Sequence, residues 1–164
     1  MRRPRKPDTE AAEADERTVR TAALALLAGR DFARNELAQR LLRRGYPAAI
    51  VTTVVEGLAA QRLLSESRFV EQFIRQHAGR GHGPVRIRVE LRERGVADGD
   101  IEEGLAAAAE DWAGIARETR RKRFGLSPPG DYRERARQAR FLQYRGFSAE
   151  QVRAALGPGE DIES

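Results

Sequence analysis

The feature that most constrains how this chain can fold is a short motif that occurs three times. The motif is Leu-x-x-Arg-Gly followed by an apolar residue, and its glycines are Gly45, Gly95 and Gly146, 50 and 51 residues apart. Further apolar residues keep the same register six and ten positions after each glycine: Val51, Ile101, Val152, Val55, Leu105 and Leu156. This agreement indicates an internal repeat of about 50 residues, whose units must stack on one another to complete a core.

Apolar residues within the repeats follow the spacing of helices. One helix face is marked by four residues at i, i+3, i+4 and i+7: Val51, Val54, Val55 and Leu58. The segment 85–92 instead alternates apolar and charged residues, which taken alone is typical of a strand. Pro84, which suits a first helical turn, and the alignment of this segment with the helical pattern of 34–44 favour a helix. We therefore predict an all-α chain in which each repeat is two helices, a tight glycine turn and a third helix.

The two ends of the chain differ from the repeats in composition. The N-terminal stretch contains Pro4 and Pro7 and, after Met1, no apolar residue larger than alanine, so it cannot bury enough surface to offset its ordering entropy. We predict a disordered tail at 1–16, repeats at 17–64, 65–109 and 110–156, and a flexible acidic end at 157–164.

Four segments, in order along the chain, carry motifs similar to those of one bacterial family. They are LAGRDFARNEL at 27–37, LLSESRF at 63–69, GHGPVRIRVEL at 81–91 and RFLQYRGF at 140–147. These segments resemble the patterns L-x-R-R-x-[YF]-S-x-x-E-L, L-x-[DN]-D-x-x-[FY], G-x-G-P-x-x-I-x-x-E-L and R-[FL]-L-x-x-R-G-F of the RecX family, which regulates the RecA recombinase. The chain is identified on these motifs as similar to that family.

The resemblance implies a fold, a partner and an activity. The fold is three tandem three-helix units, each helix-turn-helix-like, in an elongated curved array. The partner is the RecA filament on single-stranded DNA, along which such a protein binds. The expected activity is non-enzymatic modulation, mostly inhibition, of the ATPase, strand-exchange and co-protease activities of RecA.

Charge is unevenly distributed along the chain. The segment 117–145 has ten basic residues against three acidic ones, 75–97 has six arginines against two acids, and 98–111 has six acids and no base. A packed stripe beside an arginine stripe, as at Arg133, Arg137 and Arg140, suits a phosphate backbone. We predict these residues to contact DNA or an acidic protein surface: Arg80, Arg86, Arg88, Arg92, Arg117, Arg120, Arg121, Lys122, Arg123, Arg133, Arg137, Arg140 and Arg145.

The alternative interpretation of these charges is a solvated surface. Arg86 and Glu90, like Glu90 and Arg94, are i, i+4 pairs of the kind that exposed helices use. The acidic segment 98–111 could pair internally with a neighbouring basic helix, or it could face a basic protein surface.

The aromatic residues do not form an obvious stacking platform for bases. Phe69, Phe73 and Trp112 lie on apolar helix faces and are predicted to be core. Phe147 is predicted to pack under the last turn, and Tyr144 to be half exposed, with base stacking as its less favoured role. The residues predicted to carry the repeat structure are Gly45, Gly83, Pro84, Gly95, Gly146 and Phe147.

Several kinds of chemistry are excluded or disfavoured by composition. The chain has no cysteine and two histidines, which excludes thiolate chemistry and disfavours a multi-histidine metal centre. His77 and His82 are five apart across two glycines and are predicted to be poorly held as a metal pair. The glycine-rich stretch 79–84 lacks the ending of a phosphate-cradling loop and is predicted to be a flexible joint, although the helix that Pro84 begins could accept an anion.

These observations predict a protein without catalytic residues, cofactor or metal. No apolar run is long enough to span a bilayer, and the basic start lacks a secretory signal, so we expect a cytoplasmic protein that does not bind membranes and is a monomer. Single-stranded DNA is the expected nucleic acid, with duplex DNA as a second possibility. Two other functions stay open: a stand-alone DNA-binding protein with helix-turn-helix-like units, and an adaptor for another protein.

Overall fold

The computed structural model describes residues 7–158, with side chains from Asp15 onward. All regular secondary structure in this described part is helical, which confirms the predicted fold class. The helices are α1 Pro7–Gly29, α2 Arg34–Arg43, α3 Ala48–Ala60, α4 Glu66–Gly79, α5 Pro84–Glu93, α6 Asp98–Ala108, α7 Trp112–Phe124, α8 Tyr132–Tyr144 and α9 Ala149–Leu156.

The described chain divides into two compact units. The first comprises the residues up to Val70 together with Arg94–Ala97, and it contains α1, α2 and α3. The second comprises Glu71–Glu93 and the residues from Asp98 onward, and it contains α5 to α9. Within the first unit α1 packs on α3 and α2 on α3, whereas within the second α7 and α8 pack on α9 and α5 on α6.

The three repeated glycines occupy equivalent places in the structure. Gly45, Gly95 and Gly146 follow the ends of α2, α5 and α8, with φ of +90°, +78° and +95°. L side chains rarely adopt this left-handed conformation, and glycine adopts it without steric cost. Each glycine therefore ends one helix and turns the chain toward the next, which confirms the repeat that the sequence motif indicated.

The segment with alternating residues is the helix α5. Two of its apolar residues, Ile87 and Leu91, are four apart on one helix face and are fully buried. The other two, Val85 and Val89, lie on the opposite side and remain about half exposed. The alternation therefore reflects one buried and one exposed pair on a helix, and not the two faces of a strand.

Each compact unit has its own apolar core. In the first unit the core joins α1, α2 and α3, with Leu64 at its edge: Val19, Ala23, Phe32, Leu37, Leu41, Val51, Val54, Val55, Leu58 and Leu64. In the second unit one core joins α7, α8 and α9: Ala116, Leu142, Phe147, Val152, Ala155 and Leu156. Phe147 is thus buried under the last turn, as predicted, and Trp112 is only half-buried.

Polar caps begin the last three helices. Ser148 and Gln151 form the capping box that their spacing permits, with bonds of 2.8 and 3.2 Å between each side chain and the other residue's backbone N–H. Asp111 and Asp131 cap α7 and α8 by accepting bonds from Gly114 and Glu134. These caps fix where each helix begins and so position α7 and α8.

The N-terminal segment differs in part from the predicted tail. The helix α1 begins at Pro7, so residues 7–16 extend a helix where the sequence predicted disorder. The physical reason is local: Pro7 suits a first helical turn, and the alanines and glutamates that follow are strong helix formers. Residues 1–6 and 159–164, where the rest of the predicted tail and most of the acidic end fall, lie outside the described residues. The boundaries between the three repeats stay a prediction.

Candidate nucleic-acid interface

A buried arginine holds the connection between α7 and α8. The Arg120 side chain donates to Oε1 of Gln138 over 2.8 Å and to the carbonyl oxygen of Ser127, and the residue is only 7 % exposed. Gln138 in turn donates to Glu134 over 3.0 Å. The prediction of a binding role for Arg120 is therefore corrected, because its guanidinium is buried and already hydrogen-bonded within the protein.

Two aromatic rings support the arginines around this connection. Phe124 and Phe141 pack edge to face with their centroids 5.2 Å apart. The guanidinium of Arg137 lies 5.3 Å, and that of Arg123 5.6 Å, from the ring centroid of Phe124. Arg145 lies 5.4 Å from the ring centroid of Phe141. Such cation–π contacts orient the side chains, while the charges of Arg123 and Arg137 stay exposed.

One side of α8 is an exposed row of cations that ends in an aromatic ring. We call Arg133, Arg137, Arg140 and Tyr144 the α8 basic face; they lie at i, i+4, i+7 and i+11, on one stripe of the helix. All four are exposed, and Tyr144 is 82 % exposed. The expectation of a half-exposed Tyr144 is therefore corrected, because α8 turns its opposite side, with Gln138 and Leu142, into the protein.

Acidic partners of this face are few. Arg137 pairs with Glu134 at 3.5 Å, which is a loose contact. Within the described residues, neither Arg133 nor Arg140 has an acidic partner, and the same holds for Arg123 and Arg80. The α8 basic face therefore carries positive charge that is largely uncompensated by the acids that the structure describes.

The arginines of α5 are compensated, in contrast. Arg86 bonds Glu90 at 2.7 Å, Arg88 bonds Glu102 at 2.6 Å and Arg92 bonds Asp98 at 2.6 Å. The Arg88 hydrogen bond holds the pKa of Glu102 below its usual range, and the Asp98 hydrogen bond raises the pKa of Arg92. The acidic start of α6 thus pairs internally with the basic helix α5, one of the two roles open to it.

The cations of α7 are partly compensated. The sequence-predicted residues there form three contacts with acids: Arg117 with Asp111 at 3.7 Å, Arg121 with Glu118 at 2.8 Å and Lys122 with Glu118 at 3.9 Å. The Arg121 hydrogen bond lowers the pKa of Glu118. These are exposed pairs, which bind weakly and exchange readily with other anions.

The start of α5 packs directly on the turn after α8. The backbone N–H of Gly83 donates to the carbonyl oxygen of Arg145 over 2.8 Å, and that of Val85 to the carbonyl oxygen of Gly146 over 2.9 Å. A side chain at Gly83 would overlap the backbone of Gly146. Sequence analysis left open an anion at the start of α5, but carbonyl oxygens already accept from the N–H groups of Gly83 and Val85. The glycine-rich stretch 79–84 was predicted to be a flexible joint, but in the structure it is packed against the turn after α8.

The same packing recurs earlier in the chain. A Cβ at Gly95, the turn glycine after α5, would overlap the side chain of Asn35 at the start of α2. A Cβ at Gly146 would likewise overlap Arg86 at the start of α5. In both places the turn glycine of one repeat contacts the start of the second helix of the preceding repeat. Sequence analysis found the glycines but missed these partners, since a repeat motif does not show what its residues touch.

The two histidines lie together, contrary to the prediction that they are poorly held as a pair. Nδ1 of His77 and Nδ1 of His82 are 2.9 Å apart, and Oε2 of Glu90 is 3.4 Å from Nδ1 of His77. His77 stacks on Phe73 with centroids 3.9 Å apart, and both histidines are buried. The turn at Gly81, with φ of +76°, folds His82 back toward α4.

This cluster has the donor set of a metal site but also its own hydrogen-bond partners. Its three side chains bring one ligand atom each within 4.8 Å of one another. However, Arg86 already bonds Glu90, and both Arg86 and Arg145 place positive charge beside His82. Burial, followed by these charges and His77, lowers the pKa of His82 to about 4, against the opposing effect of Glu90. We assign the cluster a hydrogen-bonding role, and the absence of a metal stays a prediction.

A cleft of about 500 Å³ lies beside the aromatic pair, between the turn after α4 and the helix α7. Its cations are Arg80, Lys122, Arg123 and Arg145, and its acids are Glu110, Asp111 and Glu118. The mixture of signs gives no preference for an anionic small molecule. None of the helices in the described part is both long and apolar enough to cross a membrane.

Fold and site together define a class: a helical protein built from tandem three-helix units, the last of which exposes a basic face with few acidic partners among the described residues. Domain comparison matches the first, second and third three-helix domains of RecX to residues 20–58, 65–105 and 109–156. The chain belongs to the RecX family. Because the three matches follow one another along the chain, they also confirm the three three-helix units that the repeat predicted.

Individual relatives agree with this assignment. The chain is 54 % identical over 153 residues to Regulatory protein RecX of Halorhodospira halophila, covering 93 % of this chain and 94 % of that one. It is 43 % identical over 144 residues to Regulatory protein RecX of Pseudomonas entomophila, covering 88 % and 92 %. The crystal structure of RecX from Lactobacillus salivarius has a similar fold, with a TM-score of 0.69, 20 % identity and coverage of 85 % and 93 %. Another crystal structure of regulatory protein RecX gives a TM-score of 0.76 at 20 % identity, covering 92 % of this chain and 78 % of that one.

Proposed function

We propose that this protein regulates the RecA recombinase by binding along the RecA–single-stranded-DNA filament and reducing its ATPase, strand-exchange and co-protease activities. The observation that carries the proposal is the match of all three units to RecX domains, with relatives named as regulatory proteins. The protein acts without catalytic residues or a cofactor, as a bound obstacle to filament growth or turnover. It works as a monomer in the cytoplasm.

The α8 basic face is the part of the protein that we propose to meet the filament. In the part of the chain that the structure describes, Arg133 and Arg140 lack acidic partners and Arg137 has only a loose one, so contact with phosphate or with acidic subunit surfaces need not break a strong ion pair. The arginines of α5 contribute less, because an incoming anion must first displace Glu90, Glu102 or Asp98. The candidate contact residues are therefore Arg80, Arg123, Arg133, Arg137, Arg140 and Arg145, with Arg117, Arg121 and Lys122 at the margin.

The test is DNA-stimulated ATP hydrolysis by the RecA of the same organism, with this protein titrated from well below one copy per RecA. We expect inhibition at substoichiometric amounts, and we expect the double variant R133E/R140E to require several-fold more protein. The matched control is R40E/R43E, which makes the same charge change on exposed residues of α2. Equal weakening by both double variants would contradict the assignment to the α8 basic face.

A second outcome separates regulation from simple DNA binding. If the protein leaves ATP hydrolysis unchanged at several-fold excess over RecA, the proposed regulation is wrong. Strong sequence-selective binding to duplex DNA in the same preparation would then favour the stand-alone DNA-binding function. Absence of binding to both DNA and filament would favour an adaptor for another protein.

A further inference from the structure

Tyr144 extends the arginine row of α8 by one exposed ring. On a helix of 3.6 residues per turn, Arg133, Arg137, Arg140 and Tyr144 fall on a stripe about 60° wide and about 16 Å long. The ring packs against no partner within the described residues, since 82 % of Tyr144 is exposed. An aromatic ring left this exposed beside cations has the composition of single-stranded nucleic acid sites, where phosphates meet the cations and a base stacks on the ring.

We propose that Tyr144 is a base-stacking site for single-stranded DNA, with Arg133, Arg137 and Arg140 holding the phosphates next to it. A base in a duplex is stacked on both faces and cannot pack flat on the ring, whereas an unpaired base can. Tyr144 therefore gives the α8 basic face a preference for single strands over duplex DNA. The inference deepens the proposed function, because the filament to which the protein is proposed to bind is formed on a single strand.

The surroundings of the face support a flexible strand as its ligand. The guanidinium of Arg137 lies 5.3 Å from the ring centroid of Phe124, a contact that orients this cation on the face. Arg133 and Arg140 are exposed above and below it and lack acidic partners within the described part of the chain. The acid nearest the row, Glu134, is engaged by Gln138 at 3.0 Å and by Arg137 at 3.5 Å.

The chain provides a matched control for the ring. Tyr132 begins the same helix and is equally exposed, at 83 %, but it lies about 110° away from the centre of the stripe. The same substitution at both tyrosines removes the same exposed ring from the same helix. Because both rings are exposed, neither change disturbs the core, and circular dichroism checks that the helical content is unchanged.

The experiment measures the fluorescence anisotropy of a labelled oligo(dT) and of a labelled duplex of equal length, each titrated with full-length protein. We expect Y144A to weaken oligo(dT) binding roughly 5- to 10-fold. Y144F should bind like the wild type, since stacking uses the ring and not the hydroxyl. Y132A should also bind like the wild type, since Tyr132 lies off the stripe. Duplex binding should not respond to Y144A. Equal effects of Y144A and Y132A, or an equal loss on duplex DNA, would overturn the inference.

A direct readout uses oligo(dT) that carries 5-iodouracil, which cross-links to a stacked aromatic ring on irradiation. We expect the cross-linked peptide to contain Tyr144, and a cross-link confined to other residues would contradict the proposal. Recombinase inhibition is measured in parallel. If the wild-type protein cross-links through Tyr144 but does not inhibit RecA, the stacking site is supported and the proposed function is wrong. If the protein inhibits RecA but does not bind oligo(dT), the proposed function is supported and the stacking site is wrong. In that case the α8 basic face contacts a protein surface.

Discussion

The backbone N–H of Gly83 donates a 2.8 Å hydrogen bond to the carbonyl oxygen of Arg145. This bond joins the glycine-proline turn before α5 to the arginine-glycine turn after α8, two segments that are about sixty residues apart in sequence. Because neither turn leaves room for a Cβ, the backbones approach each other directly. Two of the four sequence motifs that resemble the family thus contact one another, and their glycines are required by the same packing.

The substitution G83A should destabilise the second compact unit. Its Cβ would overlap the carbonyl group of Gly146, which must move and so weaken the bonds to Gly83 and Val85. We expect a loss of about 2–3 kcal/mol in the free energy of unfolding, which urea titration followed by circular dichroism would measure.

Gly57 is the control for this change. It lies inside α3, where a Cβ meets nothing within 4 Å, so G57A should raise stability by about 0.5–1 kcal/mol through helix propensity alone. If G83A proved as harmless as G57A, the two turns would not be packed as the structure describes them.

Arg120 should matter for folding and not for binding. The substitution R120L leaves Oε1 of Gln138 and the carbonyl oxygen of Ser127 without their donor, and we expect it to cost about 1–3 kcal/mol. The exposed Arg123, three residues further on, is the control, and R123L should change stability by less than about 0.5 kcal/mol. Urea unfolding measures both variants, and an undisturbed R120L would contradict the buried role.

These arginines show where sequence reasoning succeeds and where it ends. The glycines of the repeat and the Ser148–Gln151 capping box were predictable, because each depends on residues a few positions apart. The burial of Arg120 was not predictable from the sequence, because the packing of α7 on α8 and α9 decides which side of α7 is buried. The segment 117–123 has five basic residues that look alike in sequence, yet in the structure they are buried, paired with an acid or exposed.

Of the two buried histidines, one could be placed from the sequence and the other could not. His77 lies four residues after Phe73, so helical periodicity is enough to predict that they are neighbours, and the two rings do stack. Periodicity could not place His82, because the chain reverses at Gly81 with a positive φ that a spacing argument ignores. The α8 basic face could be predicted only in part. Helical spacing places its arginines on one side of the helix. Only the structure shows that the acids of α6 pair with α5, and that few of the described acids contact the arginines of α8.

The buried histidine makes stability depend on pH. Burial, with the charges of Arg86, His77 and Arg145, lowers the pKa of His82 from 6.5 to about 4, and Glu90 opposes this shift. The unfolded chain then binds more protons than the folded one between these two values, so stability is complete above pH 6.5 and falls as the pH is lowered toward 4. The loss from this residue should reach up to about 3 kcal/mol.

The variant H82Q tests this dependence. Glutamine cannot titrate but can still bond Nδ1 of His77, so the slope of stability between pH 6.5 and 4 should become shallower than in the wild type. The measurement is urea unfolding at half-unit pH steps in buffers of constant ionic strength. A wild-type slope retained by H82Q would show that other groups cause the acid loss, with Glu90 acting at lower pH because its own pKa is depressed.

Paired and unpaired arginines should respond differently to loss of charge. Arg140 has no acidic partner within the described residues, whereas Arg88 is held by both carboxylate oxygens of Glu102, at 2.6 and 3.1 Å. If Arg140 contacts a phosphate, R140Q lowers the slope of log affinity against log salt for oligo(dT) by about 0.7. R88Q should change this slope little, because Glu102 already neutralises Arg88. Anisotropy titrations at several salt concentrations compare the two variants, which remove the same charge from the same protein. Identical slopes for both would mean that binding depends on net charge alone, and that the internal ion pairs of α5 do not select which arginines meet the DNA.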